Sequence, residues 1–150
     1  MKKSKTKARK TRVFCAGTFD GLHPGHLNFL QFAKKFGGEL WVVVARDQSV
    51  LKTKGRTPLF GEKQRLELVG ALAIVGKALL GVKGNWFKSV KKVDPTVIVL
   101  GHDQKIGEKK LLEFIWQNKL KTKIVRAPAF DRNKNRSSKL KARKHFGKKI

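Results

Sequence analysis

The chain has 150 residues, 40% of them apolar with ten Phe and three Trp, which suits one domain with its own core and excludes a disordered chain. The single cysteine, Cys15, excludes an internal disulfide and a multi-cysteine metal site. A formal net charge of +26 favours anionic partners, nucleotides in a pocket or nucleic acid on the surface, and no apolar run has the length of a membrane span or a signal-peptide core, so a cytoplasmic location is expected.

Met1 to Arg12 carries seven Lys or Arg and no acid, shows no apolar periodicity, and reads as a basic disordered arm over 1–12. Residues 13–146 read as the folded domain and 147–150 as the end of a basic tail. Val13-Phe14-Cys15-Ala16 is continuously apolar, as expected of a strand buried on both faces, and its thiol reads as structural. The run Gly17-Thr18-Phe19-Asp20-Gly21-Leu22-His23-Pro24-Gly25-His26 follows it, and an apolar-rich helix of Leu27 to Phe36 comes next, ended by Gly37-Gly38. Strand, glycine turn and helix in that order leave free N–H groups at a helix start, where a phosphate can sit. His23 and His26 lie one helical turn apart at that corner and point the same way if the helix begins near Pro24.

Glu39 to Ala45 reads as a second strand. Arg46 to Pro58 reads as a loop dense in cations, placed directly after that strand's carboxyl end. Gly61 to Val75 reads as a helix, with Leu66, Val69 and Ala73 on its apolar stripe and Glu62, Lys63 and Arg65 outside it. Lys77 to Val82 is a third strand, Asn85 to Val93 a short helix, and Thr96 to Leu100 a fourth strand ending in Gly101-His102-Asp103-Gln104. Glu108 to Lys119 is an amphipathic helix and Lys123 to Arg126 a last strand. Ser137-Ser138 are placed to cap a final helix over 139–146.

Alternating strands and helices predict one α/β domain, with an approximately five-stranded parallel sheet and helices on both faces. The polar clusters at 17–26, 46–58, 101–104 and 132–138 all follow strands, so they converge on one sheet edge although they are far apart in sequence. That convergence predicts one nucleotide site.

The run Gly17 to His26 resembles the signature of the cytidylyltransferase-like nucleotidyltransferases, a Rossmann-like family whose core pattern is G-x-F-D-x-x-H-x-G-H. The resemblance implies transfer of a nucleoside monophosphate from a triphosphate to a phosphorylated acceptor with release of pyrophosphate. It implies that His23 and His26 donate hydrogen bonds to the phosphates and that a lysine after the second strand neutralises them. Lys54 is the choice, with Lys52 and Arg56 hard to separate from it. Gly17, Thr18, Phe19, Pro24 and Gly25 would surround the triphosphate, with Phe19 also packing, and Asp20 either caps the turn or orients a neighbour. Asp103 matches a nucleotide-contacting position, and Ser137 and Ser138 resemble a late Ser/Thr pair that holds the β- and γ-phosphates. Mg²⁺ is expected on the triphosphate, with no protein-held metal.

Val44-Ala45-Arg46-Asp47, Lys54-Gly55-Arg56, Gln64-Arg65-Leu66 and Leu100-Gly101-His102-Asp103-Gln104 look most like the archaeal-type FAD synthases, which implies ATP plus FMN giving FAD. The runner-up is glycerol-3-phosphate cytidylyltransferase, using CTP, and a heptose-type adenylyltransferase is third. A reading of another class is an RNA-binding module on this fold, touching nucleic acid non-specifically through its basic termini. A membrane partner is not expected, and homodimerisation is left open.

Overall fold

The five runs pair into one sheet, with the three most buried at its centre and the two least buried at its edges. In the computed structural model, which describes residues 10–130, β1 (Arg12–Gly17), β2 (Glu39–Val44), β3 (Lys77–Leu80), β4 (Val97–Leu100) and β5 (Lys123–Arg126) are all parallel, in the order β3-β2-β1-β4-β5. The helices are α1 (Pro24–Lys34), α2 (Asp47–Lys54), α3 (Glu62–Gly70), α4 (Phe87–Val93) and α5 (Glu108–Gln117). Alternation along β1 sends Val13 and Cys15 into one layer, with Leu30 and Ala33 of α1 and Val69 of α3. Phe14 faces the other layer, with Val90 and Val93 of α4 and Leu111 and Ile115 of α5. The expected α/β architecture is thus the observed one. Cys15 is fully buried, and burial pushes its thiol well above the ordinary range, as suits a structural role.

Three readings need correction. The stretch 46–58 is not simply a loop, because α2 occupies residues 47–54. No apolar stripe announces that helix, since only Val50 is buried on it; its start is held from outside. The Asp47 N–H donates to Glu62 Oε2 at 2.9 Å, and the Glu62 N–H donates to Asp47 Oδ2 at 3.2 Å. Each carboxylate thus caps the other residue's helix, where orphan N–H groups favour negative charge. Gly55, at φ +70, then ends α2.

The second correction is that the helix expected over 61–75 stops at Gly70. The chain passes through tight turns, Leu72 N–H to Val69 O and Val75 N–H to Leu72 O, and leaves Ala73 exposed. The third concerns Arg65, read as outside the apolar stripe. It is completely buried.

β1 takes in Arg12, whose Nη1 donates to Val93 O at 2.8 Å, so the strand overlaps the last residue of the expected arm. The rest of that arm up to residue 9, the segment 131–136, Ser137, Ser138, the helix over 139–146 and the tail 147–150 lie outside the described residues.

Candidate active site

The sheet's connections run one way from β1 to β2 and β3 and the other way to β4 and β5, so the carboxyl ends of β1 and β4 flank the point where strand order reverses. The β1–β4 ladder covers only Val13↔Val97 and Phe14↔Ile98, and beyond it the two strands part. Gln104 spans the opening: its Nε2 donates to Ala16 O at 2.7 Å, and its Oε1 accepts the Gly101 N–H at 2.8 Å. Above this gap lies a cleft of about 1570 Å³. Its walls are the loops after β1 (Gly17, Thr18, Phe19, Asp20, His23, Gly25, His26), β2 (Lys52, Lys54 and Arg56 among them), β3 (Gly81 to Trp86) and β4 (Gly101 to Ile106).

The turn after β1 is fixed by packing and by distant partners. Gly17 has no room for a side chain, because a Cβ there would stand 2.9 Å from the Phe19 ring. Phe19 itself is buried and held at φ 52. Asp20 accepts the Leu59 N–H at 2.7 Å and the Phe60 N–H at 3.0 Å, so it orients a neighbouring loop. Burial alone would raise the Asp20 pKa, but those two N–H groups and the Arg65 and Arg56 charges outweigh it and the pKa is lowered.

His23 is the N-cap of α1, with Pro24 as the first helical residue and His26 at the third. The Gly25 N–H donates to His23 Nδ1 at 3.0 Å, and the His23 N–H donates to His26 Nδ1 at 3.2 Å. The pair forms a reciprocal cap of the kind usually built from Ser/Thr and Glu/Gln. Because each Nδ1 accepts, the proton of each neutral ring is on Nε2. The rings lie 3.8 Å apart between centroids. Burial lowers the His26 pKa to about 4, helped by His23 and Lys54 and opposed by Asp103; burial also lowers that of His23. At neutral pH the corner therefore holds two uncharged imidazoles, each with one N–H donor not committed to backbone.

Lys54, the last residue of α2, donates to Thr18 Oγ1 at 3.2 Å. Lys52 and Arg56 also border the cleft, but Lys54 is the loop cation that touches the β1 turn and perturbs His26. Asp103 lies on the β4 wall with His102 Nδ1 4.0 Å from its Oδ1. Pro24 starts α1 but is exposed, and it is not a wall of the cleft. The histidines, Lys54, the Gly17–Phe19 turn, Gly25 and Asp103 are thus brought together, while Ser137 and Ser138 lie outside the described residues.

A profile of the cytidylyltransferase-like family matches residues 14–143. The chain belongs to that family. Among curated relatives, it is 51% identical to the FAD synthase of Methanohalophilus mahii over 77% of this chain and 80% of that one. It is 43% identical to the FAD synthase of Thermoplasma volcanium over 87% and 91% of the two chains. A solved structure described as the lipopolysaccharide core biosynthesis protein from Thermoplasma volcanium superposes with a TM-score of 0.77, at 43% identity, over 82% of this chain and all of that one.

Local sequence pattern does not announce the structural roles of three further residues of the site. Arg65 donates to Phe60 O, Thr18 O and Ala45 O at 2.8 Å each and to Asp47 Oδ1 at 2.6 Å, so one buried guanidinium ties together the turns after β1 and β2 and the start of α2. A period reading sees only a charged residue off the stripe. Trp86 walls the β3 side, stacked 6.3 Å from Phe14 and edge-on to Phe87 at 4.7 Å. Gln104 is visible in the cluster after β4, but its role depends on the parting of two strands, which no local pattern reveals.

Proposed function

We propose that this chain is an FMN adenylyltransferase, joining ATP and FMN to give FAD and pyrophosphate in the cytoplasm. The observation that carries the reaction type is the pair of neutral, backbone-fixed histidines with Lys54 beside them at the start of α1. The kinship at 43–51% identity with FAD synthases supports the choice of ATP and FMN.

In this reading a phosphate oxygen of FMN attacks the α-phosphorus of ATP in line, the bond from that phosphorus to the bridging oxygen breaks, and pyrophosphate leaves. His23 and His26 donate Nε2–H bonds to the equatorial and bridging oxygens, where charge grows. Lys54 sets a fixed positive charge against the triphosphate, and the Gly17–Phe19 turn and Gly25 let backbone come close. Asp103 accepts from the ribose on the β4 side, and Ser137 and Ser138 are assigned to the β- and γ-phosphates. Trp86 on the β3 side offers an aromatic face to the isoalloxazine ring. A divalent cation accompanies ATP as part of the substrate; among the described residues no group of three or more His, Cys, Asp or Glu could hold one.

Product analysis tests the reading: purified protein, Mg²⁺ and pyrophosphatase, with FMN, glycerol 3-phosphate or a heptose 1-phosphate against ATP and CTP. FAD from FMN and ATP is expected. CDP-glycerol or an ADP-heptose would move the acceptor while leaving the histidines their role.

A further inference from the structure

The parallel sheet has a second pole. Every strand begins at the edge opposite the cleft, and each helix–strand connection turns there, so residues far apart in sequence collect at that edge. Exposed Lys10 precedes β1, Lys91 and Lys92 end α4, Lys119 and Lys121 follow α5, and Lys123 opens β5. Hydrogen bonds show these segments to be one surface. Thr96 N–H donates to Arg12 O, Lys123 N–H to Thr96 O and Thr122 Oγ1 to Pro95 O, while Arg12 Nη1 reaches Val93 O.

Adjacent strands lie about 4.8 Å apart, so β1 to β5 spans about 10 Å, close to the reach of neighbouring phosphates on a chain. The acids nearest this edge are Glu39 and Asp94, both partly buried, and the exposed Glu113 one turn before Trp116 on α5. Beside Lys119, whose N–H donates to Trp116 O, the Trp116 side chain at the end of α5 is 81% exposed.

We propose that this edge docks a single-stranded nucleic acid, with the lysines of the α4–α5 layer following the phosphates and Trp116 stacking on a base. Closely spaced cations with an exposed ring are what sequence-tolerant single-strand binding requires. An anionic membrane would need an apolar face to insert. Among the described residues only Leu112, one turn back on the same face of α5, adjoins Trp116, too small a patch to insert; the other exposed large apolar side chains are Leu27, Leu51, Leu59 and Phe60 near the cleft edge and Leu68 on α3. β1 is six residues long, so the docking edge stands about 20 Å from the cleft and binding there leaves the histidines accessible.

The experiment uses the full chain with both basic termini, so that their contribution is constant. Binding of a labelled 16-nucleotide single strand is followed by anisotropy against salt, for RNA and DNA, beside a duplex of equal length and anionic vesicles. Neutralising two phosphate contacts, in Lys119→Gln with Lys121→Gln, is expected to flatten the log–log salt slope by about 1.4 and weaken binding about 25-fold at 0.1 M salt. Lys109→Gln with Lys110→Gln, the same change of charge at the opposite end of α5, is expected to cost under about threefold. Trp116→Ala is expected to weaken single-strand binding at least about fivefold and to abolish part of the tryptophan quenching. FAD formation stays unchanged in all three variants. Equal losses from the two lysine pairs, a duplex held as tightly as the single strand, unaltered binding by Trp116→Ala, or vesicles bound in preference to oligonucleotides would each overturn the proposal.

Discussion

Replacing Arg65 by methionine tests whether one buried cation holds the site in shape. The substitution removes four donated bonds, three to the carbonyls of Phe60, Thr18 and Ala45 and one to the Asp47 carboxylate. A buried acceptor left without a partner costs about 1–3 kcal/mol. The Asp47 side chain is 42% exposed, so water can recover it, and its loss falls short of the roughly 3–5 kcal/mol of a fully buried broken pair. Methionine returns about 2 kcal/mol of apolar burial. The net loss is on the order of 3–5 kcal/mol, a large part of a typical domain's stability of about 5–15 kcal/mol.

At about 2–4 °C per kcal/mol for a chain of this size, Tm falls by about 10 °C. Arg65→Lys keeps the charge but not the planar fork, and should fall between the two. Circular dichroism melts check the stability, and FAD formation well below both transitions checks the site. Thr18 gives its carbonyl to Arg65 and its hydroxyl to Lys54, so kcat and the KM for ATP should worsen while the KM for FMN stays within about twofold. A Tm within about 2 °C of the parent, or unchanged kinetics in a folded Arg65→Met protein, would refute the reasoning.

His26→Ala and His26→Gln should both lower kcat by about 10²–10³, the cost of one transition-state donor, in a product assay. Only the alanine variant should also lose about 1 kcal/mol of stability, because glutamine at the third helical position can still accept the His23 N–H. The folded pKa of His26, about 4, lies below its ordinary 6.5, so the native state binds fewer protons than the unfolded one. Its contribution is complete above pH 6.5 and is lost as pH falls towards 4, which urea titrations across that window should show and His26→Gln should flatten. Trp86→Ala should raise the KM for FMN about tenfold or more and leave that for ATP within about twofold, as steady-state kinetics would reveal. Asp20→Asn keeps one acceptor of two for the Leu59 and Phe60 N–H groups, and should cost about 1 kcal/mol in melts and speed proteolysis of the 56–61 loop.

The centre of the sheet was legible because its strands are doubly buried: Val13-Phe14-Cys15 and Val97 to Leu100 can be little else, and the alternation with helices set their direction. The histidine corner was legible because Pro24 marks a helix start, which puts His23 and His26 on one turn. What escaped were features made by pairs of distant groups. α2 has one buried side chain and owes its first turn to Glu62, fifteen residues on. Arg65 carries a charge, which a periodicity reading sends to solvent, yet it is buried against the Thr18 and Ala45 carbonyls, which follow β1 and β2 and meet only in the assembled sheet, and against the nearby Phe60 carbonyl.

The same reciprocity gives the site its rigidity. Asp20 fastens the loop before α3, Asp47 and Glu62 lock α2 to α3, and Arg65 joins both to the turn that carries Thr18. Lys54 therefore approaches the histidines from a helix that is itself held at its other end. A lysine on a free loop would lose side-chain and backbone entropy each time it met a phosphate, whereas one fixed through α2 meets the developing charge already in place. Three of the domain's few carboxylates, Asp20, Asp47 and Glu62, thus hold the segments that border the cleft. If Lys54 has the role proposed for it, the Asp47–Glu62 exchange acts on catalysis at a distance, by holding the helix that carries Lys54.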